Sequence, residues 1–315
     1  ELPYNLILQA DYNYRKGLNE VQVFDINQAD SAAGPRLGAA FPFPVPYADS
    51  SGFSTYSGLL ARVDRRFRNG FQFTASYALS SFKAFSADAL GLAGAPTNLN
   101  DLRADFGPAG LDRKHRFVFS AIYEMPFYKN DSSFWKRNVL GNWGVSLIST
   151  MFSGVPQSVF LPDGVDLSGT GTFATYLPGT TAGSIGRSIR SLDELNTLIR
   201  AFNDSTAGSV DPLGTPLARL AELPAGTRLG GDSVMSQDIR LTKSINFNEK
   251  YRLQLIGEVF NVFNFANLVN VNDLVIPVEG TPVDQITTFR PTQRGNSVFG
   301  TGGPRAFQFG ARFVF

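Results

Sequence analysis

Leu59-Leu-Ala-Arg-Val-Asp-Arg-Arg-Phe-Arg-Asn-Gly-Phe-Gln-Phe-Thr-Ala-Ser-Tyr-Ala-Leu79 carries the pattern on which the fold turns. Leu59, Ala61, Val63 and Phe67 are apolar, as are Phe71, Phe73, Ala75, Tyr77 and Leu79. The residues between them include Arg62, Asp64, Arg66, Gln72, Thr74 and Ser76. Period-two alternation of this kind marks a β-strand with one apolar and one polar face. Arg68-Asn69-Gly70 separates the two runs, so the stretch reads as a hairpin. A two-residue Asn-Gly loop would pair Phe67 with Gln72 and mix the faces. A three-residue loop pairs Phe67 with Phe71, Val63 with Ala75 and Ala61 with Tyr77 and keeps them apart. The expectation is a type I turn plus a bulge, with Gly70 left-handed.

The same alternation recurs along the chain. Strands are expected near 5–15, 55–67, 71–81, 115–126, 142–152, 234–244, 251–263 and 305–315. Over these windows 35 of 40 positions on one face are apolar, against 11 of 40 on the other, a contrast too large for chance. The fold class is all-β and antiparallel. The connections between windows run about 40, 3, 30, 15, 80, 6 and 40 residues, so long and short alternate throughout. Outer-membrane barrels show that pattern: short periplasmic turns, long external loops, apolar face to lipid and polar face to the lumen. Windows of ten or so residues also suit tilted strands crossing a bilayer. A soluble sandwich would need the apolar face inward and has no reason to alternate its loop lengths.

Composition removes other classes. Charged residues are 17% of the chain and Lys plus Arg exceed Asp plus Glu by one, which gives no electrostatic case for nucleic acid. With no Cys and one His, disulfides, thiolate chemistry and most zinc sites are gone. The residues read as those of a non-enzyme without cofactor. His115 begins a strand and lacks a local partner for base catalysis. Gly169-Thr-Gly-Thr-Phe-Ala174 neither follows a strand nor opens a helix, so it reads as a loop. Asp163-Gly-Val-Asp166 reads as a turn, lacking the remaining ligands of a calcium site. Asp193 and Glu194 are adjacent, but a capping role explains Glu194.

Two groups of charges stand out on the strands. Arg65 and Lys243 interrupt the lipid face close to short turns, where their stems can lie on apolar surface and their charges reach the headgroups. Arg62, Asp64 and Arg66 form a polar row facing the lumen, read either as mutually paired charges or as contacts for a solute. In the longest loop, Ser191-Leu-Asp-Glu194 is a capping box, followed by Leu192, Leu195, Leu198, Ile199 and Phe202 at helical spacing. Thr215-Pro216 before Leu217–Leu223, closed by Pro224, predicts a second short helix.

Tyr251-Arg-Leu-Gln-Leu-Ile-Gly-Glu-Val-Phe-Asn-Val-Phe-Asn264 resembles the penultimate-strand motif of TonB-dependent outer-membrane receptors of the Oar-like group. Asp112-Arg-Lys-His-Arg-Phe117, Leu140-Gly-Asn-Trp143, Ser153-Gly-Val-Pro156, Tyr56–Ser81 and Arg305–Phe315 share the resemblance. It implies a barrel of about 22 strands with an N-terminal plug, importing a scarce solute with energy delivered through TonB. The 315 residues hold no plug or TonB-contacting segment. They are expected to be the C-terminal portion of such a barrel, with Glu1-Leu2-Pro3 as the turn of an earlier hairpin. The closing strand, with Phe307, Phe309, Ala311, Phe313 and Phe315 on one face, matches the assembly signal read by the barrel-assembly machinery. Expected partners are outer-membrane lipid, that machinery, the TonB system and an unknown solute. The alternative is a self-contained eight-stranded barrel serving as adhesin, anchor or structural protein.

Overall fold

A computed structural model describes the chain except residues 1–4, 28, 32–33, 36–37, 39, 44, 86–95, 99, 163, 172–174, 207, 228, 230–232, 249, 268–272 and 283–302. Its main sheet contains β1 (Leu6–Asp25), β2 (Pro46–Arg68), β3 (Phe71–Ala84), β4 (His115–Glu124), β5 (Trp143–Phe152), β6 (Val234–Asn246), β7 (Arg252–Phe260) and β8 (Ala306–Val314). Each pairs antiparallel with its neighbours in sequence, so the sheet is a meander from β1 to β8. The expected turn at Glu1-Leu2-Pro3 lies outside the described residues.

The register keeps the two side-chain sets apart across the whole sheet. Leu6 faces Arg65, Arg65 faces Phe73, Phe73 faces Ala121 and Ala121 faces Leu147. The row continues through Ile239 and Val259 to Phe307. One residue along, Asp64, Thr74, Ser120, Ile148 and Asp238 form the adjoining row on the opposite face. A slip of one residue between any two strands would turn a whole strand inside out.

The apolar face is uncovered. Leu8, Tyr12, Phe307 and Phe309 are 60%, 68%, 61% and 82% exposed, and no strand of this sheet contributes to the buried apolar cluster. That cluster lies between Val159 and Ile276, in the loops. An apolar surface of this extent in water would drive association; against hydrocarbon it is the expected solvent-facing side of a membrane wall. The soluble reading, which required the apolar face to pack inward, is thereby excluded.

The self-contained eight-stranded barrel is not what the sheet forms. Such a barrel must pair its first and last strands, yet the strand path begins at β1 and ends at β8, and among the described residues nothing pairs them. The first hairpin is also longer than its expected windows. β1 has 20 residues, roughly 65 Å at strand rise, where about 9–11 cross a bilayer. Its outer half therefore stands clear of the hydrocarbon, paired to β2 as far as Asp25 and Pro46.

The turn between β2 and β3 corrects one expectation. Val63 does face Ala75 and Ala61 faces Tyr77, but the last pair is Arg68 with Phe71 rather than Phe67 with Phe71. Asn69 and Gly70 have φ of 54° and 77°, the two positive values of a type I′ turn. The extra residue is absorbed by a bulge between Arg65 and Arg68. Asn-Gly thus keeps its favoured two-residue turn, whose twist matches the strands, and the bulge restores the faces. Gly70 is left-handed as expected, and a Cβ there would lie 2.5 Å from the Glu124 carbonyl oxygen. Gly70→Val should cost the refolded full-length protein about 2 kcal/mol, whereas Asn69→Gly should change it by about 0.5 kcal/mol. Urea unfolding in detergent distinguishes them, and equal losses would contradict the turn assignment.

Candidate functional site

The external loops are where this chain builds a water-type core. In the loop after β5, helix α1 (Leu192–Ser205) begins at the expected capping box: the Glu194 amide donates to Ser191 Oγ, and the Ser191 amide donates to Glu194 Oε2. Leu195, Ile199 and Phe202, at helical spacing, are buried. The second expected helix is absent: Thr215–Leu223 is extended. Asn196 and Asn203, two helical turns apart on α1, supply the partners that a helix would have found in itself. Asn203 accepts from the Leu220 amide at 2.7 Å and donates to its carbonyl at 2.9 Å. Asn196 does the same for Leu223, at 2.9 and 3.0 Å. Leu217, Leu220 and Leu223 recur every third residue, the period of an extended threefold chain, and all three are buried.

A second loop completes this core. In the segment after β7, Leu274–Val275 pairs in parallel with Val159–Phe160. Leu274 and Ile276 enter the same cluster as α1, and Asp273 accepts from the Ser158 amide at 2.6 Å. Each buried Leu or Ile is worth about 1.5–3 kcal/mol. Two loops separated by β6 and β7 therefore fold as one external cap.

A third loop, between β3 and β4, is fastened to the cap by charge. Arg187 donates through Nε to Asp112 Oδ2 at 2.5 Å and through a terminal nitrogen to the Asp112 carbonyl at 2.9 Å. Asp112 is 2% exposed, and its other oxygen accepts from the Phe82 amide of β3, so the pair ties cap to wall. Gly183 sits with φ 62° against the Pro108 carbonyl, where a side chain would not fit. Nearby, Asp105 accepts from the Thr97 amide at 2.9 Å and hydroxyl at 2.6 Å, and also from the Tyr176 hydroxyl. Burial pushes the Asp105 carboxyl above its usual range, against these hydrogen bonds. The Tyr176 phenol is raised too, first by burial and then by the Asp105 charge.

On the wall, the polar set converges on a cavity of about 400 Å³ bounded by Thr74, Ser120, Ser146, Asp238, Arg240 and Glu258 among others. Enclosure of that volume shows that the sheet curves toward its polar face. Arg62 and Asp64 are joined by two hydrogen bonds of 2.7 and 2.9 Å, and Thr74 donates to Asp64 at 2.6 Å. Arg240 pairs with Glu258 at 2.7 Å. Arg66 lies in the same strand as Arg62 and Asp64, inside the bulged region. The wall therefore offers paired charges and hydroxyls rather than a field of one sign.

The remaining sequence sites fall as follows. The Arg65 guanidinium lies 4.9 Å from the Phe71 ring centre. Lys243 lies 4.9 Å from the Trp143 ring centre, donates to the Gly141 carbonyl and is 7% exposed. It is thus folded back on the turn instead of extended to the headgroups. His115 stacks on Tyr77 and shares a 2.7 Å hydrogen bond with its hydroxyl. Phe307, Phe309, Phe313 and Phe315 project from the outermost strand, with Phe315 85% exposed. Ala311 pairs with Leu255 on the same face. Asp166, 1% exposed, accepts from the amides of Ser168, Gly169 and Gly171. The glycine-rich segment thus wraps an internal carboxylate; Asp163 and residues 172–174 lie outside the described residues.

The outer membrane beta barrel domain family matches residues 1–308. The chain belongs to that family. It is accordingly a protein of the bacterial outer membrane, and its sheet is barrel wall. Curated proteins give no match. Among solved structures, the outer membrane transporter YddB from Escherichia coli is similar with a TM-score of 0.47 and 9% identity. The match covers 100% of this chain and 31% of that transporter, so the chain spans about a third of its length.

Two outcomes follow for the barrel's cap. A raised folded-state pKa at Asp105 means that its stabilising contribution is complete below the ordinary carboxylate pKa and is lost as pH rises through the raised value. Between about pH 4 and pH 8, intrinsic-rate-corrected hydrogen-exchange protection of residues 155–223 should fall with pH through this group. Asp105→Asn should flatten that slope, and an unchanged slope would show that Asp105 is not responsible. Separately, Asp166→Ala leaves buried amide donors without partners and should cost the cap about 2–4 kcal/mol. Added calcium should leave wild-type protection unaltered; a calcium-dependent gain would restore the metal reading.

Proposed function

We propose that this chain is the wall and external cap of a TonB-dependent receptor of the Oar-like group, importing a scarce solute across the outer membrane. The observation that carries the reading is the cap, two loops folded around one core and fastened through Arg187 and Asp112 to the end of a polar-faced wall. A mere anchor has no use for a folded body on the outside of the barrel. A receptor needs a structured surface there to capture solute before it meets the polar wall, and loops on a rigid scaffold are where binding residues concentrate.

The strand edges support a larger assembly. One edge each of β1 and β8 has no neighbouring strand among the described residues, and an unpaired edge in hydrocarbon costs several kcal/mol per group. A barrel of about 22 strands supplies those neighbours and a lumen wide enough for a plug. In this reading the TonB system acts through a plug domain, the barrel-assembly machinery inserts the wall, with Phe307, Phe309, Ala311, Phe313 and Phe315 as its recognition face, and the chain performs no catalysis. Arg62, Asp64 and Arg66 then line the route beside the solute.

The test uses the full-length protein in its own cell. Mass spectrometry of spent medium should show one class of solute left behind both when the gene is deleted and when TonB is disrupted. Replacing residues 164–229 by a short Gly-Ser linker should reproduce that loss while the protein still reaches the outer membrane. Depletion of the same solutes by the gene-deleted and parent strains would overturn import. Normal uptake by the cap-replaced protein would remove the cap from capture.

A further inference from the structure

The short-turn end of the wall, which faces the periplasm in such barrels, carries a surface that neither the cap nor the wall cavity uses. The turn between β4 and β5 exposes Trp135 by 73%, Phe127 by 62%, Val139 by 53% and Leu140 by 52%. Trp135 and Val139 are four apart around the single helical turn Lys136–Leu140, so they share one side of it. The Asn138 amide binds this turn to the end of β6, donating to the Asn246 carbonyl at 3.2 Å and accepting from its amide at 2.9 Å. The neighbouring turn adds Phe247, 52% exposed, and Tyr251, which stacks on Phe313 of the lipid-facing row at 6.0 Å.

Between the two turns lies an open recess of about 620 Å³, lined by Arg137, Lys250 and Arg252 with the amides of Asn246 and Asn248. Its described lining contains three cations and no carboxylate, and no salt bridge among the described residues engages any of the three. Elsewhere on this sheet, Arg62 and Arg240 each have a carboxylate.

We propose that this rim binds the phosphate of an anionic phospholipid in the periplasmic leaflet, with Arg137, Lys250 and Arg252 on the headgroup and Trp135 and its apolar neighbours among the upper acyl carbons. An acidic protein segment would account for the cations and leave Trp135 unexplained. A lipid accounts for both, and the rim continues the aromatic lipid-facing row without a break. Basic side chains beside exposed aromatics are the usual composition of an interfacial anchor.

The experiment uses the full-length protein, reconstituted in nanodiscs of phosphatidylethanolamine containing phosphatidylglycerol, and native mass spectrometry of the lipids retained on release. The wild type should retain phosphatidylglycerol in preference to phosphatidylethanolamine. Arg137→Gln, Lys250→Gln and Arg252→Gln should each lower that preference about fivefold, while heat-modifiable mobility on gels shows the barrel still folded. Phospholipid brominated on its acyl chains should quench wild-type fluorescence more than that of Trp135→Phe, which places Trp135 in the bilayer. Equal retention of both lipids by the wild type, or equal quenching of the two proteins, would overturn the proposal. So would displacement of the retained lipid by millimolar inorganic phosphate, which marks a site for free anions, or by an acidic peptide, which marks a protein-docking site.

Discussion

Hydrocarbon offers the backbone no hydrogen bonds, and the structure of this protein follows from that constraint. Every N–H and C=O in the membrane needs a partner from the chain, so the wall must be laterally paired strand. Pairing fixes the register, and register in turn fixes which residues meet lipid. The row from Leu6 to Phe307 stays on one face across eight strands because each pairing preserves its neighbour's phase. Where the Asn69-Gly70 turn would break that phase, a bulge restores it. Local turn preference and global facing conflict at this point, and the chain satisfies both by placing the irregularity inside β2.

The wall and the cap answer to different solvents. In the wall, apolar side chains are exposed and the enclosed volume is bordered by Thr, Ser, Asp, Arg and Glu. In the cap the order is the ordinary one, with Leu161, Leu177, Ile185, Leu195, Ile199 and Leu274 at no more than 1% exposure. Helix is affordable only here, outside the sheet: α1 carries its own backbone bonds and its own cap.

Sequence exposed the wall more fully than the cap for a physical reason. Lipid contact is a property of each residue and its next-but-one neighbour, so period-two alternation reports it locally, as at Phe71 to Leu79. The capping box at Ser191 and Glu194 is equally local and equally visible. The cap's remaining structure depends on distant partners. Thr215-Pro216 has the local marks of a helix start, but Asn196 and Asn203 offer its backbone a better set of bonds from across the core. Arg187 and Asp112 are 75 residues apart, and nothing near either one announces the other. Lys243 was legible as an exception on the lipid face, but not its attachment to Trp143 and Gly141, which needs the turn already folded.

The cap's attachments distribute load among three loops. Asp105 and Asp112 belong to the loop after β3, Tyr176 and Arg187 to the loop after β5, and Asp273 to the loop after β7. Asp112 is held simultaneously by Arg187 of the cap and by the Phe82 amide of the wall. Withdrawing the loop after β3 would strip Arg187 of its carboxylate and Tyr176 of its acceptor, leaving a guanidinium that is 13% exposed without a counter-charge. Withdrawing residues 273–276 would unpair the Ser158 amide and open the apolar core. Partial displacement is therefore costly for every loop, because each buries groups that only another loop satisfies. The energetically coherent alternatives are a cap docked as a unit or one released as a unit, and a solute that favours one of them acts on all three loops together.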